Sequence, residues 1–146
     1  MRDFLMMAFI ALIGVSALAA YEHFNPKPPQ ELEVVYFGST TCGSCKVWRQ
    51  SDLPAWRRDP ASRAAPVALA EVGPGTAGPW NGGYGRHHNT FIDAFGARRR
   101  VSWPSFVVLK DGEVDRVYVG RGGWRQVEER LRREDKRRQR WAEAQG

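Results

Sequence analysis

The chain contains two cysteines, Cys42 and Cys45, with two residues between them. The apolar residues 34–37 predict a buried strand that ends at Gly38, and the residues after Cys45 predict a helix. Cys42 is therefore expected at the helix N-terminus, where free N–H groups, the helix dipole and the charge of Lys46 favour a thiolate. A thiolate that attacks a disulfide, beside a thiol that resolves the mixed disulfide, is sufficient for thiol–disulfide exchange.

Other uses of a cysteine pair fit this chain less well. A structural disulfide that closes so small a loop would restrict the unfolded chain little. A structural zinc site needs four ligands, and the sequence has no second cysteine pair. A c-type haem site needs a histidine directly after the second cysteine, where Lys46 stands. The strand followed by a helix favours redox chemistry.

Residues 73–89 form a Gly- and Pro-rich stretch that predicts a long loop. His87 and His88 in this loop leave open a second hypothesis, in which they and the cysteines bind a metal, although adjacent histidines in such loops more often face solvent. Trp80 and Tyr84 are candidates either for a rim that contacts the substrate or for the core.

The N-terminus predicts export. Residues 4–20 are an uncharged apolar run of 17 residues that ends in Ala17-Leu18-Ala19, a pattern typical of a signal-peptide cleavage site. The run also approaches the length of a membrane-spanning helix, so a retained anchor is the alternative. In both cases the cysteines would lie in an oxidising compartment. The net charge of +6 could indicate nucleic acid or anionic lipid, but an exported redox domain argues against nucleic acid.

The predicted domain organisation is a leader at 1–20, a Pro-rich linker at 21–30, a folded domain at 31–133 and a charged helical tail at 134–146. The domain should alternate strands and helices in the order β, α, β, α, β, β, α. The predicted elements of the first half are a strand at 31–37, a helix at 42–52 ended or kinked by Pro54, a continuation of it or a second short helix at 55–64, and a central strand at 66–72. Those of the second half are a helix capped by Asn89 or Thr90 and running to 97, a strand at 106–109, a strand at 114–119, a Gly-rich turn at 120–123, and a final helix that packs through Trp124, Val127 and Leu131 and then frays.

Three motifs in this order resemble the thioredoxin family: Cys-Gly-Ser-Cys at 42–45, Trp-Pro-Ser at 103–105 and the Asp-Gly turn at 111–112. The resemblance covers about residues 31–133. It implies an α/β, thioredoxin-like fold with a central mixed four-stranded sheet flanked by helices, and a C-terminal β-hairpin and helix. It also implies that Cys42 is the nucleophile and that Cys45 is the resolving thiol.

The family pattern further implies a cis peptide bond before Pro104 and a substrate groove beside the cysteines. The substrate-binding residues carried over from the resemblance are Trp103, Pro104, Gly43 and Ser44. No cofactor is implied beyond the two thiols, and no metal site is part of the pattern.

The chain departs from cytoplasmic thioredoxins at several positions. Ser44 replaces their proline, Thr41 replaces their tryptophan before the first cysteine, and Trp103 is bulky for the position before the cis-proline. Tyr36 replaces their buried aspartate, the proton shuttle of the resolving thiol. Glu33, Glu71 or a buried water are candidate substitutes.

The sequence thus predicts an exported, periplasmic thiol–disulfide oxidoreductase that reduces disulfides of client proteins. Reduction is favoured over oxidation because the pair lacks the histidine that oxidants of the family often carry between their cysteines. The expected partners are exported clients and a membrane or periplasmic electron donor, with no nucleic acid and with membrane contact only through the possible anchor. The alternatives are a metallochaperone, or a dedicated partner of a sulfur-oxidising or cytochrome-maturation system.

Overall fold

The structure is a computed structural model that describes residues 28–96 and 101–146. The predicted leader, most of the predicted linker and the arginines at 98–100 lie outside the described residues. The sheet and its covering helices form one compact unit, Gln30–Asp135, and the last turns of the C-terminal helix, from Lys136 onward, belong to a second unit. No helix of the described part is long and apolar enough to cross a membrane.

Four strands form a single mixed sheet, as predicted. They are β1 (Leu32–Ser39), β2 (Val67–Val72), β3 (Ser105–Lys110) and β4 (Glu113–Val119). The spatial order is β2-β1-β3-β4. β1 runs parallel to β2, and the β1–β3 and β3–β4 pairs are antiparallel. The predicted thioredoxin-like fold class, with its C-terminal hairpin and helix, is confirmed.

Strand β2 lies at an edge of the described sheet, so the prediction that it is central is wrong. Ala70 and Val72 are buried, but Leu69 is 42% exposed. The apolar residues of β2 pack on both faces of the sheet, Ala70 and Val72 on one and Val67 on the other, although β2 pairs with β1 alone in the described sheet. Apolar content alone does not show how many neighbouring strands a segment has.

The hairpin between β3 and β4 turns at Asp111 and Gly112, as predicted. Both residues have positive φ, 53° and 85°. A two-residue turn with positive φ at both positions matches the right-handed twist of the flanking strands, and Asp-Gly is a preferred pair for it.

The helices begin and end at different residues from those predicted. They are α1 (Gly43–Val47), a π-helical turn (Trp48–Asp52), α2 (Leu53–Arg58), α3 (His88–Phe95) and α4 (Gly120–Gln145), with 3₁₀ turns at Pro60–Arg63, Pro79–Asn81 and Gly85–His87. The two later 3₁₀ turns lie in the predicted loop. α3 starts without a side-chain cap from Asn89 or Thr90, and it ends before Gly96, whose φ is 53°.

Pro54 does not end the first helical stretch. Because proline has no N–H, it cannot donate to the preceding turn. The chain widens at Trp48–Asp52, where the Leu53 N–H donates to the Trp48 carbonyl, and then continues as α2. Trp48 and Trp56 therefore both reach the core, where each packs edge-on against Trp124.

The Gly-rich segment 120–123 is the first turn of α4 and not a separate turn. A Cβ at Gly123 would lie 3.0 Å from the Cβ of Tyr118, so glycine allows the helix to start close to β4. The helix also stays regular beyond Leu131. Glu134 is buried, and its carboxylate accepts a 2.6 Å hydrogen bond from the Gln30 N–H.

The sheet separates two buried clusters. The cysteine-side core packs the sheet against α1, α2 and α4, and its main members are Leu32, Val34, Tyr36, Cys45, Trp48, Trp56, Phe106, Trp124, Val127 and Leu131. The loop-side core packs the opposite face against α3 and the 73–87 loop, and its main members are Val35, Phe37, Tyr84, Phe91, Phe95 and Val107. Successive side chains of β1 lie on opposite faces of the sheet, so alternate residues of this strand contribute to each core.

Candidate active site

Cys42 follows β1 by three residues and caps the first turn of α1. Its backbone is extended, with φ −80° and ψ 118°, and its Sγ accepts a 3.2 Å hydrogen bond from the Cys45 N–H. The Ser44 hydroxyl lies 3.8 Å from the same sulfur. The N–H of Cys45, and the Ser44 hydroxyl when it donates, favour the Cys42 thiolate when the disulfide is reduced.

The two cysteines are bonded to each other, with their Cα atoms 5.2 Å apart. Cys42 is partly exposed and its neighbours Thr41 and Gly43 are exposed, whereas Cys45 is fully buried in the cysteine-side core. Only the first sulfur is therefore accessible to a large disulfide substrate. Gly43, Ser44 and Lys46 are exposed around it.

The Trp103–Pro104 peptide bond is cis. In the β1–β3 register Ser105 pairs with Phe37, so Pro104 lies beside the end of β1 from which the chain continues to Cys42. Pro104 is buried, and Trp103 is partly buried against both cores. The fold thus brings the predicted substrate-binding residues Trp103 and Pro104 to the same end of the sheet as Gly43 and Ser44.

A polar network lies under this end of the sheet, and the sequence reasoning found only part of it. The Tyr36 hydroxyl donates a 2.8 Å hydrogen bond to Glu71 Oε1, and Arg49 pairs with the other carboxylate oxygen. Burial, followed by the hydrogen bond and the negative charge of Glu71, raises the pKa of Tyr36 far above its usual range. Tyr36 is therefore a neutral phenol at physiological pH. The sequence pattern alone does not indicate a role for Arg49.

Gly38 makes room for this network. A Cβ at Gly38 would lie 2.0 Å from the Tyr36 hydroxyl oxygen, so no other residue fits there without moving the ring. Gly38 is also the register partner of Glu71 across the β1–β2 pair. A tyrosine two residues before a strand glycine, with an acidic residue in an otherwise apolar neighbouring strand, is the sequence signal that could have indicated this contact.

The metal hypothesis gains no support from the histidines. The Nε2 atom of His87 accepts a 3.1 Å hydrogen bond from Arg86. Partial burial and the positive charge of Arg86 lower the pKa of His87. Within residues 28–96 and 101–146, no group of three or more His, Cys, Asp or Glu side chains could hold a metal ion.

The aromatic residues of the 73–87 loop belong to the core. Tyr84 is buried, and Trp80 packs edge-on against Phe91 at a centroid distance of 4.8 Å. Of the two roles left open for Tyr84, the structure supports the core and not a rim that contacts the substrate. Glu33 lies on the loop side of β1, away from Tyr36, so of the two candidate acids only Glu71 contacts Tyr36.

No protein-family model and no curated protein matches the chain. Among solved structures, the periplasmic thioredoxin SoxS from Paracoccus pantotrophus is similar at 20% identity, covering 72% of this chain and 99% of that one, with a TM-score of 0.45. Malassezia sympodialis thioredoxin is similar at 16% identity, covering 75% and 80%, with a TM-score of 0.46. Mitochondrial thioredoxin 3 from Saccharomyces cerevisiae is similar at 16% identity, covering 79% and 88%, with a TM-score of 0.46.

Proposed function

We propose that this protein is a thiol–disulfide oxidoreductase that reduces disulfides of exported client proteins. The observation that carries the proposal is the asymmetry of the pair. Cys42 is accessible at the start of a helix and accepts a hydrogen bond from the Cys45 N–H, while the Cys45 side chain is buried behind it at bonding distance. That is the arrangement needed for one sulfur to attack and the other to resolve.

The catalytic cycle begins with the reduced pair. The Cys42 thiolate attacks one sulfur of the client disulfide, and the other client sulfur leaves as a thiol. Cys45 then attacks Cys42, which releases the second client thiol and restores the Cys42–Cys45 disulfide. Two electrons pass from the protein to the client, and an external dithiol donor must reduce the pair again.

Client recognition is assigned to the surface around Cys42. Gly43 and Ser44 are exposed beside the sulfur, and Trp103 and Pro104 lie at the same end of the sheet. An extended client segment could bind there by strand addition, in which main-chain hydrogen bonds give affinity without demanding one sequence. This role for Trp103 and Pro104 rests on their position and on the family resemblance.

Export rests on the predicted leader at residues 4–20, and the periplasm is the compartment that it implies in bacteria. The proposed partners are exported clients and a membrane or periplasmic dithiol donor. An oxidising compartment generates non-native disulfides, so a reductant there has substrates.

The test is a trapping experiment with the full chain in its own host. Cys45→Ser should accumulate mixed disulfides between Cys42 and exported clients, and an external thiol should release them. Cys42→Ser is the matched control and should trap nothing. Equal trapping by both variants, or none by Cys45→Ser, would contradict the proposal.

A further inference from the structure

Cys45 must lose its proton before it can resolve a mixed disulfide, because the thiolate is the nucleophile. The side chain is fully buried, so water does not reach it directly. Burial among apolar groups makes the loss of a thiol proton harder in general. The resolving step therefore needs a proton acceptor inside the protein.

The cysteine-side core offers one candidate. Tyr36 is buried in it together with Cys45, and both side chains are titratable. Glu134, a buried carboxylate on α4, instead accepts a hydrogen bond from the Gln30 N–H. The Tyr36 ring stacks on Trp48 with centroids 4.3 Å apart and planes 11° apart. Trp48 lies one helical turn after Cys45, so the stack holds the phenol beneath the segment that carries the resolving cysteine.

The phenol is connected to solvent through charged groups. Its hydroxyl donates to Glu71, and Glu71 pairs with Arg49. The side chains of Arg49 and Glu71 are 27% and 20% exposed, respectively. A chain of donors and acceptors thus runs from the buried core to the surface.

We propose that Tyr36 and Glu71, held in place by Arg49, carry the proton that Cys45 releases when it resolves a mixed disulfide. This inference rests on the proposed function. Tyr36 and Glu71 act through Cys45 and do not touch the client. In this chain they take the place of the buried aspartate, which the sequence lacks.

The Cys45 thiol gives its proton to the Tyr36 oxygen as the Tyr36 hydroxyl gives its own proton to the Glu71 carboxylate. The Cys45 thiolate attacks Cys42 Sγ, the Cys42–Cys45 bond forms, and the bond between Cys42 and the client breaks. The client sulfur leaves with the electron pair, and Glu71 returns its proton to solvent.

The Tyr36 hydroxyl is suited to passing a proton on to Glu71 and not to acting as an ionised base. Its neutral state is enforced by burial and by Glu71, and the Arg49 charge opposes this only in part. The titratable or charged groups that act on its hydroxyl are Glu71 from β2, Arg49 from the π-helical turn and Tyr84 from the loop side. Only Glu71 is hydrogen-bonded to it.

Ellman's reagent, a small aromatic disulfide, separates the two steps of the cycle. Mixed with an equal amount of reduced protein, it should release coloured thiolate in two phases. The first phase is attack by Cys42, and the second is resolution of the Cys42 adduct by Cys45. The two rates should be measured by stopped flow from pH 5 to pH 9 in the wild-type chain and in each variant.

Tyr36→Phe and Glu71→Gln should leave the first phase unchanged and slow the second about a hundredfold at pH 7, the lower end of a general acid–base contribution. The slowed phase should recover as the pH rises, because hydroxide can then remove the proton. Glu71→Gln alters a partly exposed residue, so it keeps the test open if Tyr36→Phe does not fold. Tyr84→Phe and Glu33→Gln are the matched controls, since they remove a buried phenol and a β1 carboxylate on the other side of the sheet.

A second phase that keeps its rate and pH profile in both test variants would overturn the inference while leaving the proposed function intact. Equal slowing in the controls would also overturn it, because the effect would then be structural. Absence of the first phase in the wild-type chain would overturn the proposed function and the relay together.

Discussion

The two cores of the sheet are built from similar residues and differ in their polar content. Each holds a buried tyrosine among aromatic rings, Tyr36 on the cysteine side and Tyr84 on the loop side. Burial raises the pKa of Tyr84 to about 12, and its hydroxyl lies 3.5 Å from the Gly38 carbonyl. The Tyr36 hydroxyl instead donates a hydrogen bond to the Glu71 carboxylate, which forms an ion pair with Arg49. Both faces therefore accommodate a buried phenol, but only the Tyr36 hydroxyl donates a hydrogen bond to a charged side chain.

This difference separates packing from chemistry within one small sheet. In the loop-side core, Phe91 packs against Phe37, Tyr84 and Phe95 at centroid distances of 4.7 to 5.4 Å. Such contacts stabilise through buried apolar area and ring geometry. The cysteine-side core has equally dense rings, yet it also contains Cys45 and the polar network. Substitutions on the two faces should therefore have different consequences.

The largest effect is expected from Cys42→Ser. Reduction of a protein disulfide such as insulin should fall to the uncatalysed background, because a serine hydroxyl at pH 7 is no comparable nucleophile. The thermal midpoint of the reduced wild-type chain is the matched reference and should be close to that of the variant. Measurable turnover above background would remove Cys42 from its role.

Phe91→Ala should damage packing without damaging chemistry. The side chain is fully buried in the loop-side core, and its loss should lower the free energy of unfolding by about 3–5 kcal/mol. Urea denaturation measures this loss, and the rate of the first phase with Ellman's reagent should not change in the molecules that remain folded. Phe91→Leu is a milder variant for the case in which alanine prevents folding. A large change in the first-phase rate would show that the two faces are not separable.

Gly38→Ala should lower the stability of the fold and also slow the step in which Cys45 resolves the mixed disulfide. The added methyl group overlaps the Tyr36 hydroxyl position, and overpacking of this kind costs about 1–3 kcal/mol. Because the ring must move away from Glu71, the second phase with Ellman's reagent should slow as in Tyr36→Phe. Gly122→Ala is the matched control, since nothing lies within 4 Å of a Cβ there and a helical alanine is favourable. An unchanged second phase in Gly38→Ala would separate Gly38 from the network.

The smallest effect is expected at Asp59, which contributes to stability alone. Its carboxylate accepts a 2.9 Å hydrogen bond from the Ala61 N–H and pairs with Arg132. The Ala61 hydrogen bond and then Arg132 lower the pKa of Asp59. Asp59→Ala should cost about 1 kcal/mol near neutral pH, the usual value of such a cap.

The pH dependence at Asp59 has a definite sign. A carboxyl whose pKa is lower in the folded state stabilises the protein above its unfolded pKa, about 3.9. This stabilisation is lost as the pH falls through the folded pKa. The difference in unfolding free energy between wild type and Asp59→Ala should therefore shrink below about pH 4. A difference that grows on acidification would contradict the assignment.

Local patterns predicted the parts of this fold that depend on neighbouring residues. The Cys-x-x-Cys pair after a strand, the Asp111–Gly112 hairpin and the apolar spacing of the last helix all follow from a few adjacent side chains. The edge position of β2 does not, because pairing partners come from distant segments. The same holds for Gly123, whose place in α4 depends on its approach to Tyr118.

In the candidate site, too, local sequence predicts some residues, whereas others depend on contacts between distant segments. Cys42 and Cys45 could be named from spacing alone, and Glu71 could be suggested only as one of two candidate acids. The contact between Tyr36 and Glu71 depends on the parallel register that sets Gly38 opposite Glu71. Arg49 reaches the pair from the π-helical turn, a local backbone change that accompanies Pro54 and that helical periodicity does not predict.

The central claim is that Cys42 attacks and Cys45 resolves, and differential alkylation tests it most directly. The reduced full chain is treated with a limiting amount of iodoacetamide at pH 6 to 7, and the labelled peptides are quantified by mass spectrometry. Cys42 is accessible and its sulfur accepts a hydrogen bond from the Cys45 N–H, whereas the Cys45 side chain is fully buried. The label should therefore appear almost entirely on Cys42. Preferential labelling of Cys45, or equal labelling of the two cysteines, would contradict this account.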